Sequence, residues 1–226
     1  MVATFADDTA VLASHESSVV ASQMTQNAVS MISKWMKTWR ISVNATKSTH
    51  VTFTLRKETS PEVFWDNNPI PPHNCDLGFH LDRRLTWRDH IWTKRKQLVL
   101  QFRKMYWLLG RKPKLNLNNK VLIYKTILKP VWTYGLELWG SAAKSNVEII
   151  QRFQSKVLRA ITNAPFFVSN ETLHHDLEIP YVQAERARIG QRYRGRIDMH
   201  PNPLVYKLTH PDVFNRLRRR GPEDLW

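Results

Sequence analysis

Along this 226-residue chain the apolar residues shift from mostly short β-prone runs to a sustained helical period between Leu81 and Thr86. A period of two and a period near 3.6 demand different backbones, so the two sides must fold differently. On the N-terminal side the apolar residues come in short β-prone runs: Val2 to Ala6, Val11 to Ala13, Val63 to Trp65, and Cys75 to Leu81 interrupted by Gly78. Val51, Phe53 and Leu55 alternate with Thr52 and Thr54, the pattern of a half-buried strand. One helix is predicted among these runs, from about Ser17 to Thr38, with Val19, Ala28, Ile32, Trp35 and Trp39 at roughly helical spacing.

On the C-terminal side the helical period takes over. Thr86 and Asp89 suggest a loose capping box for a helix with Trp87, Ile91, Leu98, Phe102, Met105 and Leu109 on one face and Gly110 as its C-cap. A second helix from about Asn118 is apolar nearly all round and should be buried, with a kink at Pro130. Ser145 and Glu148 predict a capping box for a third, with Ile150, Phe153, Val157 and Ile161 inward, and helix is expected again near Gln183 to Ile197. The fold class is therefore α+β, with the first 80 or so residues mixed and the rest mainly helical.

Composition excludes several classes. Nine Trp and 42% hydrophobic residues argue against a disordered tail. Cys75 is the single cysteine, so no disulfide partner exists within the chain. No window approaches the roughly 18 uncharged apolar residues of a membrane span. A signal-peptide pattern is missing at the N-terminus. The expectation is an intracellular chain in a reducing compartment, nucleus or cytoplasm left open. Lys and Arg number 34 against 19 Asp and Glu, a net charge of +15. That surplus points first to nucleic acid, ahead of a merely basic protein or one that binds acidic lipid.

The surplus is concentrated. From Arg83 to Lys120 the chain carries Arg83, Arg84, Arg88, Lys94, Arg95, Lys96, Arg103, Lys104, Arg111, Lys112, Lys114 and Lys120 against Asp89 alone, with Trp92, Tyr106 and Trp107 interleaved. A solvated helix face normally mixes signs; a single-sign face with aromatics suits a phosphate backbone. A second, more diluted set comprises Arg186, Arg188, Arg192, Arg194 and Arg196, then the arginines from Arg216 to Arg220. Asp7 and Asp8 fall between two β-prone runs, which reads as a hairpin with two acids at its tip. Adjacent carboxylates repel unless a cation lies near, and Mg²⁺ takes one or two carboxylates together with substrate phosphates. Lys47 lies in a loop after Asn44 and could neutralise charge on a leaving pyrophosphate; an ordinary solvated lysine is the alternative. His73, Cys75 and His80, and His174, His175 and Asp176, lack paired zinc-ligand spacing and are expected to be structural, as are the aromatics Trp132, Tyr134 and Trp139.

The run Phe5-Ala6-Asp7-Asp8-Thr9-Ala10 resembles the catalytic box of reverse transcriptases. Further stretches follow in the order of that family. Trp35, Trp39, Ile41, Asn44 and Lys47-Ser48 resemble its next palm motif, Leu77-Gly78 with Leu81-Asp82 its primer-grip turn, and Leu85-Thr86-Trp87 with His90-Ile91 the start of its thumb. Tyr134-Gly135 with Trp139-Gly140, then Asn163-Ala164-Pro165, Thr172-Leu173-His174 and Ile179-Pro180, are similar to jockey-type non-LTR retrotransposon enzymes. The resemblance implies a C-terminal fragment of an RNA-directed DNA polymerase: a partial palm (β-hairpin, helix, short strands) over 1–82, a helical thumb over 83–165 and a basic C-terminal extension over 166–226. It implies Asp7 and Asp8 as ligands of Mg²⁺, two ions in the complete enzyme, and Lys47 as catalytic. Leu77 and Gly78 would form the primer grip, and Arg83, Arg84, Arg88, Lys94, Arg95, Lys96, Arg103 and Lys104 would contact RNA template and DNA primer. Asp76 stands where the family usually has an aromatic residue. The chain starts inside the catalytic hairpin, so the fingers and the first palm strand are expected on an N-terminal portion outside it. Alone it is expected to be catalytically incomplete. A non-catalytic binding module or an inactive transposable-element relic is the alternative.

Overall fold

Strands β1 (Val2–Phe5) and β2 (Asp8–Val11) pair antiparallel, with Val2 opposite Val11 and Phe5 opposite Asp8, so only two residues connect them. The computed structural model describes residues 2–5, 8–44, 46–57, 60–72, 75, 76, 78–110, 113–202 and 205. They divide into two units, Met1–Leu85 and Thr86–Trp226. The fold is α+β, with its strands in three small antiparallel pairs.

In the first unit, helix α1 (Ser18–Thr38) is followed by β3 (Phe64–Trp65) and β4 (Asn68–Pro69), joined by a turn in which Asp66 takes a positive φ of 52°. Val29 packs with Val63 and Ile70, and Trp65 covers them. Polar bonds fix how α1 meets the hairpin. The Gln26 side chain donates to the Phe64 carbonyl (3.0 Å) and accepts from the Phe64 N–H (2.7 Å), taking the place of a neighbouring strand. Asp66 accepts from Ser33 and from Lys37, both at 2.8 Å. Those bonds, Lys37 first, hold its carboxyl below the usual range.

These contacts turn α1 away from the expected orientation. Ser22, Val29 and Ser33 are buried, while Val19, Trp35 and Trp39 face solvent together with Met24 and Met31. Small hydroxyl side chains let the hairpin approach closely, and hydropathy alone did not mark that face. Val51 to Leu55 also departs from expectation. Its backbone bonds reach a loop, with Thr54 N–H donating to Arg83 O, and no second strand lies beside it among the described residues. The run from Cys75 folds back as β5 (Cys75–Asp76) and β6 (Phe79–His80) instead of continuing as one strand. Gly78 permits that turn with a φ of 77°, a conformation a side chain would oppose.

The second unit contains α2 (Arg88–Lys104), the short α3 (Tyr106–Leu109), α4 (Leu117–Ile123), α5 (Lys129–Thr133), α6 (Leu136–Trp139), α7 (Lys144–Thr162), α8 (Asn170–Asp176) and α9 (Val182–Asp198). Ile91, Leu98 and Phe102 of α2 are buried, as are Val147, Ile150, Phe153, Val157, Leu158 and Ile161 of α7, and these two helices pack together. Gln154 of α7 donates to the Tyr124 hydroxyl (3.0 Å) and to the Pro180 carbonyl (3.1 Å). Burial pushes the Tyr124 phenol up, so it stays protonated.

Pro130 removes a helical N–H, and five residues before it, Tyr124–Leu128, wind as a π-turn that joins α4 to α5. The Asn118 segment is not buried all round: Leu117, Leu122 and Ile127 are exposed while Tyr124, Leu128 and Trp132 face inward. Thr86 Oγ1 accepts from the Arg88 N–H (3.4 Å) at the start of α2, whereas Ser145 falls inside α7 and does not cap it. Trp87, with a φ of 60°, precedes α2, its indole N–H bonded to Ser141 Oγ, and Ala143 precedes α7. Tyr134 is half-exposed, with the Lys94 ammonium 5.2 Å from its ring centre, whereas Trp132 and Trp139 are core.

Glu185 ties α9 inward. It is 2% exposed and accepts from Arg188 and from Lys129, the latter at 3.0 Å. Burial, the strongest influence, pushes its carboxyl up; the bonds from Arg188 and Lys129 outweigh it and hold the group below its ordinary value. A carboxyl depressed on folding stabilises above its unfolded pKa, about 4.3, and loses that contribution as pH falls through the folded value. Glu185→Gln is therefore expected to cost about 2 kcal/mol in denaturant unfolding at pH 7, with the deficit shrinking below about pH 4. A deficit constant with pH would remove the charge from this account.

Candidate nucleic-acid interface

The exposed side of α2 follows from its buried side. With Ile91, Leu98 and Phe102 inward, Arg88, Arg95 and Val99 flank the buried stripe and Trp92, Lys96 and Arg103 lie farther round on the solvent side, at spacings of three, four and seven. Arg88, Lys96 and Arg103 are exposed; Arg95 is half-buried, its guanidinium 5.0 Å from the ring centre of Phe153. Burial, and then the like charge of Arg152 on α7, lower the Arg95 guanidinium from its ordinary value. Two arginines from different helices therefore share a region with no carboxylate bonded to either among the described residues. Such a pair attracts an anion with two or more negative charges.

Other basic residues prove to be internal fasteners. Lys120 is buried, and its ammonium donates to the Gly110 carbonyl at 2.8 Å. Arg83 belongs to the first unit and donates from Nε to Thr54 O at 3.2 Å. Arg84 and Lys104 are exposed, and Lys94 is half-buried beside Tyr134. On α9, Arg186 is buried, Arg188 is paired with Glu185, Arg194 lies 3.9 Å from Asp198, and Arg196 lies 3.6 Å from Glu137. Arg111, Lys112 and the arginines of 216–220 lie outside the described residues.

In the first unit, Asp8 opens β2 and is exposed opposite Phe5 in the β1–β2 register. Asp7 falls in the two-residue connection, outside the described residues. Lys47 is exposed on a turn that Asn44 builds: the Asn44 carbonyl accepts from the N–H groups of Lys47 (3.1 Å) and Ser48 (3.2 Å), and its side chain accepts from Thr46 Oγ1 at 2.6 Å. Gly78 occupies the β5–β6 turn; Leu77 beside it lies outside the described residues. No group of three or more His, Cys, Asp and Glu side chains converges among the described residues. No described helix is long and apolar enough to cross a membrane. His174 is structural, as expected. Its Nδ1 donates to the Ile179 carbonyl at 2.7 Å, its ring stacks on Tyr181, and burial lowers its imidazole against the opposing effect of that bond.

A β-hairpin with acids at its turn, followed by a helix, short strands and a basic helical unit, accords with a partial polymerase domain, and sequence comparison identifies the class. The chain is 41% identical over 227 residues to a probable RNA-directed DNA polymerase from transposon X-element of Drosophila melanogaster, all of the chain matching 25% of that protein. It is 36% identical to the RNA-directed DNA polymerase from mobile element jockey of the same species, and 34% to that of Drosophila funebris, again along its whole length and over 26% of each. The chain belongs to the reverse-transcriptase family of jockey-type non-LTR retrotransposons, and it spans about a quarter of the length of the curated relatives it matches. No family model matches it, and no solved structure does.

The Arg95–Arg152 juxtaposition can be tested without nucleic acid. Arg152→Gln is expected to raise stability at low ionic strength by about 0.3 kcal/mol, the scale of one relieved like-charge contact, and the gain should vanish in 1 M salt. A melting temperature that falls at low salt would show that Arg152 is stabilising where it stands.

Proposed function

We propose that the chain is the C-terminal palm and thumb portion of an RNA-directed DNA polymerase that grips an RNA template and DNA primer. The first unit supplies part of the palm and the second the thumb. One observation carries the reading: α2 bears exposed Arg88, Lys96 and Arg103 around Trp92, with Arg95 half-buried beside them, on a chain homologous along its whole length to such polymerases. Phosphates of a hybrid duplex lie along that arc with little sequence preference, and the register is fixed by the backbone.

Asp7 and Asp8, on either side of the start of β2, would hold Mg²⁺. The oxygen donor and the exposure of Asp8 fit a hard cation that keeps several waters and substrate phosphates as its other ligands. When bound, the ion supplies Lewis-acid polarisation and offsets charge on the transferring phosphoryl group. Asp7 and Asp8 would be its protein ligands, Lys47 sits on a braced turn from which an ammonium would neutralise a leaving pyrophosphate, and the Gly78 turn would position the primer end. Synthesis would belong to a protein of the relatives' length, about a quarter of which this chain spans, in an intracellular compartment.

Binding is tested by titrating residues 1–226 with a labelled RNA–DNA hybrid across a salt series. The logarithm of affinity is expected to fall linearly with the logarithm of salt concentration, and Arg88→Gln, Arg95→Gln and Arg103→Gln together should shallow that slope by about 2 to 3. An unchanged slope moves the surface elsewhere. In primer extension the isolated chain is expected to stay at background. Fusion to the N-terminal portion of a relative should give Mg²⁺-dependent synthesis that Asp7→Asn abolishes. Robust extension by 1–226 alone would overturn the division of labour proposed here.

A further inference from the structure

The connection from α7 to α8 holds two aromatic side chains where a turn ordinarily holds none. Asn163 ends α7 with a positive φ of 54°, and Ser169 starts α8, its Oγ accepting from the Thr172 N–H at 3.0 Å. Between them the Val168 N–H donates to the Pro165 carbonyl at 3.2 Å, which closes a four-residue turn with Phe166 and Phe167 at its two central positions. Gly, Asn, Asp, Ser and Pro dominate such positions because they satisfy the backbone and stay solvated. Here the two phenylalanines are 93% and 74% exposed, their rings edge to face with centroids 5.7 Å apart.

The turn is held from behind. The Arg159 guanidinium donates to the carbonyls of Pro165 (2.6 Å) and Val168 (2.8 Å) and to Asn170 Oδ1 (3.0 Å). One planar fork thus fixes both ends of the turn and the start of α8, a task a lysine could not perform. A platform that is already ordered loses little freedom when something docks on it.

The surroundings favour a polyanion. Arg152 and Lys156, one helical turn apart, are exposed on the arc of α7 that Arg159 continues, and neither forms an ion pair among the described residues. Arg152 lies near enough to Arg95 for their charges to interact. The acids on these two elements are Glu148, one turn before Arg152 on α7, and Glu171 and Asp176 of α8.

We propose that the Pro165–Val168 turn is a stacking platform for unpaired bases of a single strand whose phosphates lie on Arg152 and Lys156. The proposal rests on the nucleic-acid reading of the chain, but on residues separate from the exposed α2 arc. Phenylalanine faces accept any base, so the site is expected to be indifferent to sequence.

The test uses residues 1–226 and a labelled 12-residue oligouridylate, with the RNA–DNA hybrid as a second probe. Phe166→Ala with Phe167→Ala is expected to weaken oligouridylate binding tenfold or more while leaving its salt dependence and the hybrid affinity unchanged. Both positions are solvent-exposed, so folding should survive, and Phe166→Trp with Phe167→Trp should retain binding. An abasic strand of equal length should bind the native chain and the double alanine variant alike. Undiminished oligouridylate binding by the alanine variant, or an equal loss for the abasic strand, overturns the proposal. So does a native dimer in sedimentation that the alanine pair dissolves with oligouridylate binding intact, since the phenylalanines would then contact a second copy. Failure of hybrid binding in the native chain, with the oligouridylate response as expected, would sink the duplex-grip reading and leave the platform standing.

Discussion

Phe153 of α7 meets Phe102 of α2 edge to face, 6.2 Å between ring centres, and the Arg95 guanidinium lies against the same ring. This contact decides both the inside and the outside of the second unit. Inside, Ile91, Leu98 and Phe102 close on Ile150, Phe153, Val157 and Leu158. Burying that apolar surface is the main favourable term available to a chain this basic, whose charges repel at every stage of compaction. Outside, the same rotation leaves the α2 arginines and the Arg152 stripe facing water, so the core and the basic surface are two sides of one packing event. Weakening the contact, for example by truncating Leu98, would disperse the basic arc as well as destabilise the unit.

Polar side chains address the remaining helices to that core. Gln151 accepts from the Val182 N–H at 2.8 Å and bonds His174 Nε2 at 3.1 Å, while Gln154 reaches Tyr124 and Pro180. Because a carbonyl can only accept, the His174 Nδ1 bonded to Ile179 carries the proton, and Nε2 is left to accept from the Gln151 amide. The Gln151–His174–Ile179 part of the network is satisfied with a neutral imidazole, in keeping with burial lowering that group. Apolar burial drives the collapse here, and a few directional bonds select which helix ends where.

How much of this the sequence disclosed depends on what each residue's neighbours turned out to be. The inward faces of α2 and α7 were legible because long helices repeat one period many times, and burial follows the repeat. The α1 face was misread because the partner is a short hairpin that fits against Ser22 and Ser33, and because Gln26 pairs with a strand backbone, a bond no hydropathy pattern carries. The strand expected at Val51 to Leu55 required a neighbour, and the backbone partner is the loop at Arg83. Pro130 was expected to kink its helix; a π-turn upstream absorbs the missing bond, a choice set by packing of Tyr124 and Leu128. Of the candidate site, the basic arc was legible and the Asn44 brace beneath Lys47 was half visible in the spacing. Phe166 and Phe167 were missed, although two aromatics directly after a proline and before a helix-capping serine were the available signal.

Net charge, counted along a sequence, treats every lysine and arginine as surface, and this chain shows why the count misleads residue by residue. Lys120, Arg83, Arg159, Lys129, Arg188 and Lys37 each have a defined partner in the fold, a carbonyl or a carboxylate, and their positive charge stabilises structure rather than awaiting a ligand. Once these are subtracted, one group of the remaining basic residues lies on α2 and α7: Arg88, Lys96 and Arg103 on one, Arg152 and Lys156 on the other, with Arg95 between them over Phe153. That group sits on two helices that the Phe102–Phe153 contact holds side by side, so this part of the electrostatic footprint follows from core packing. The footprint ends where Arg159 turns its charge inward to brace a turn, and beyond that point aromatic surface takes over from basic surface. A polyanion tracking α7 would therefore exchange phosphate contacts for contacts with its bases.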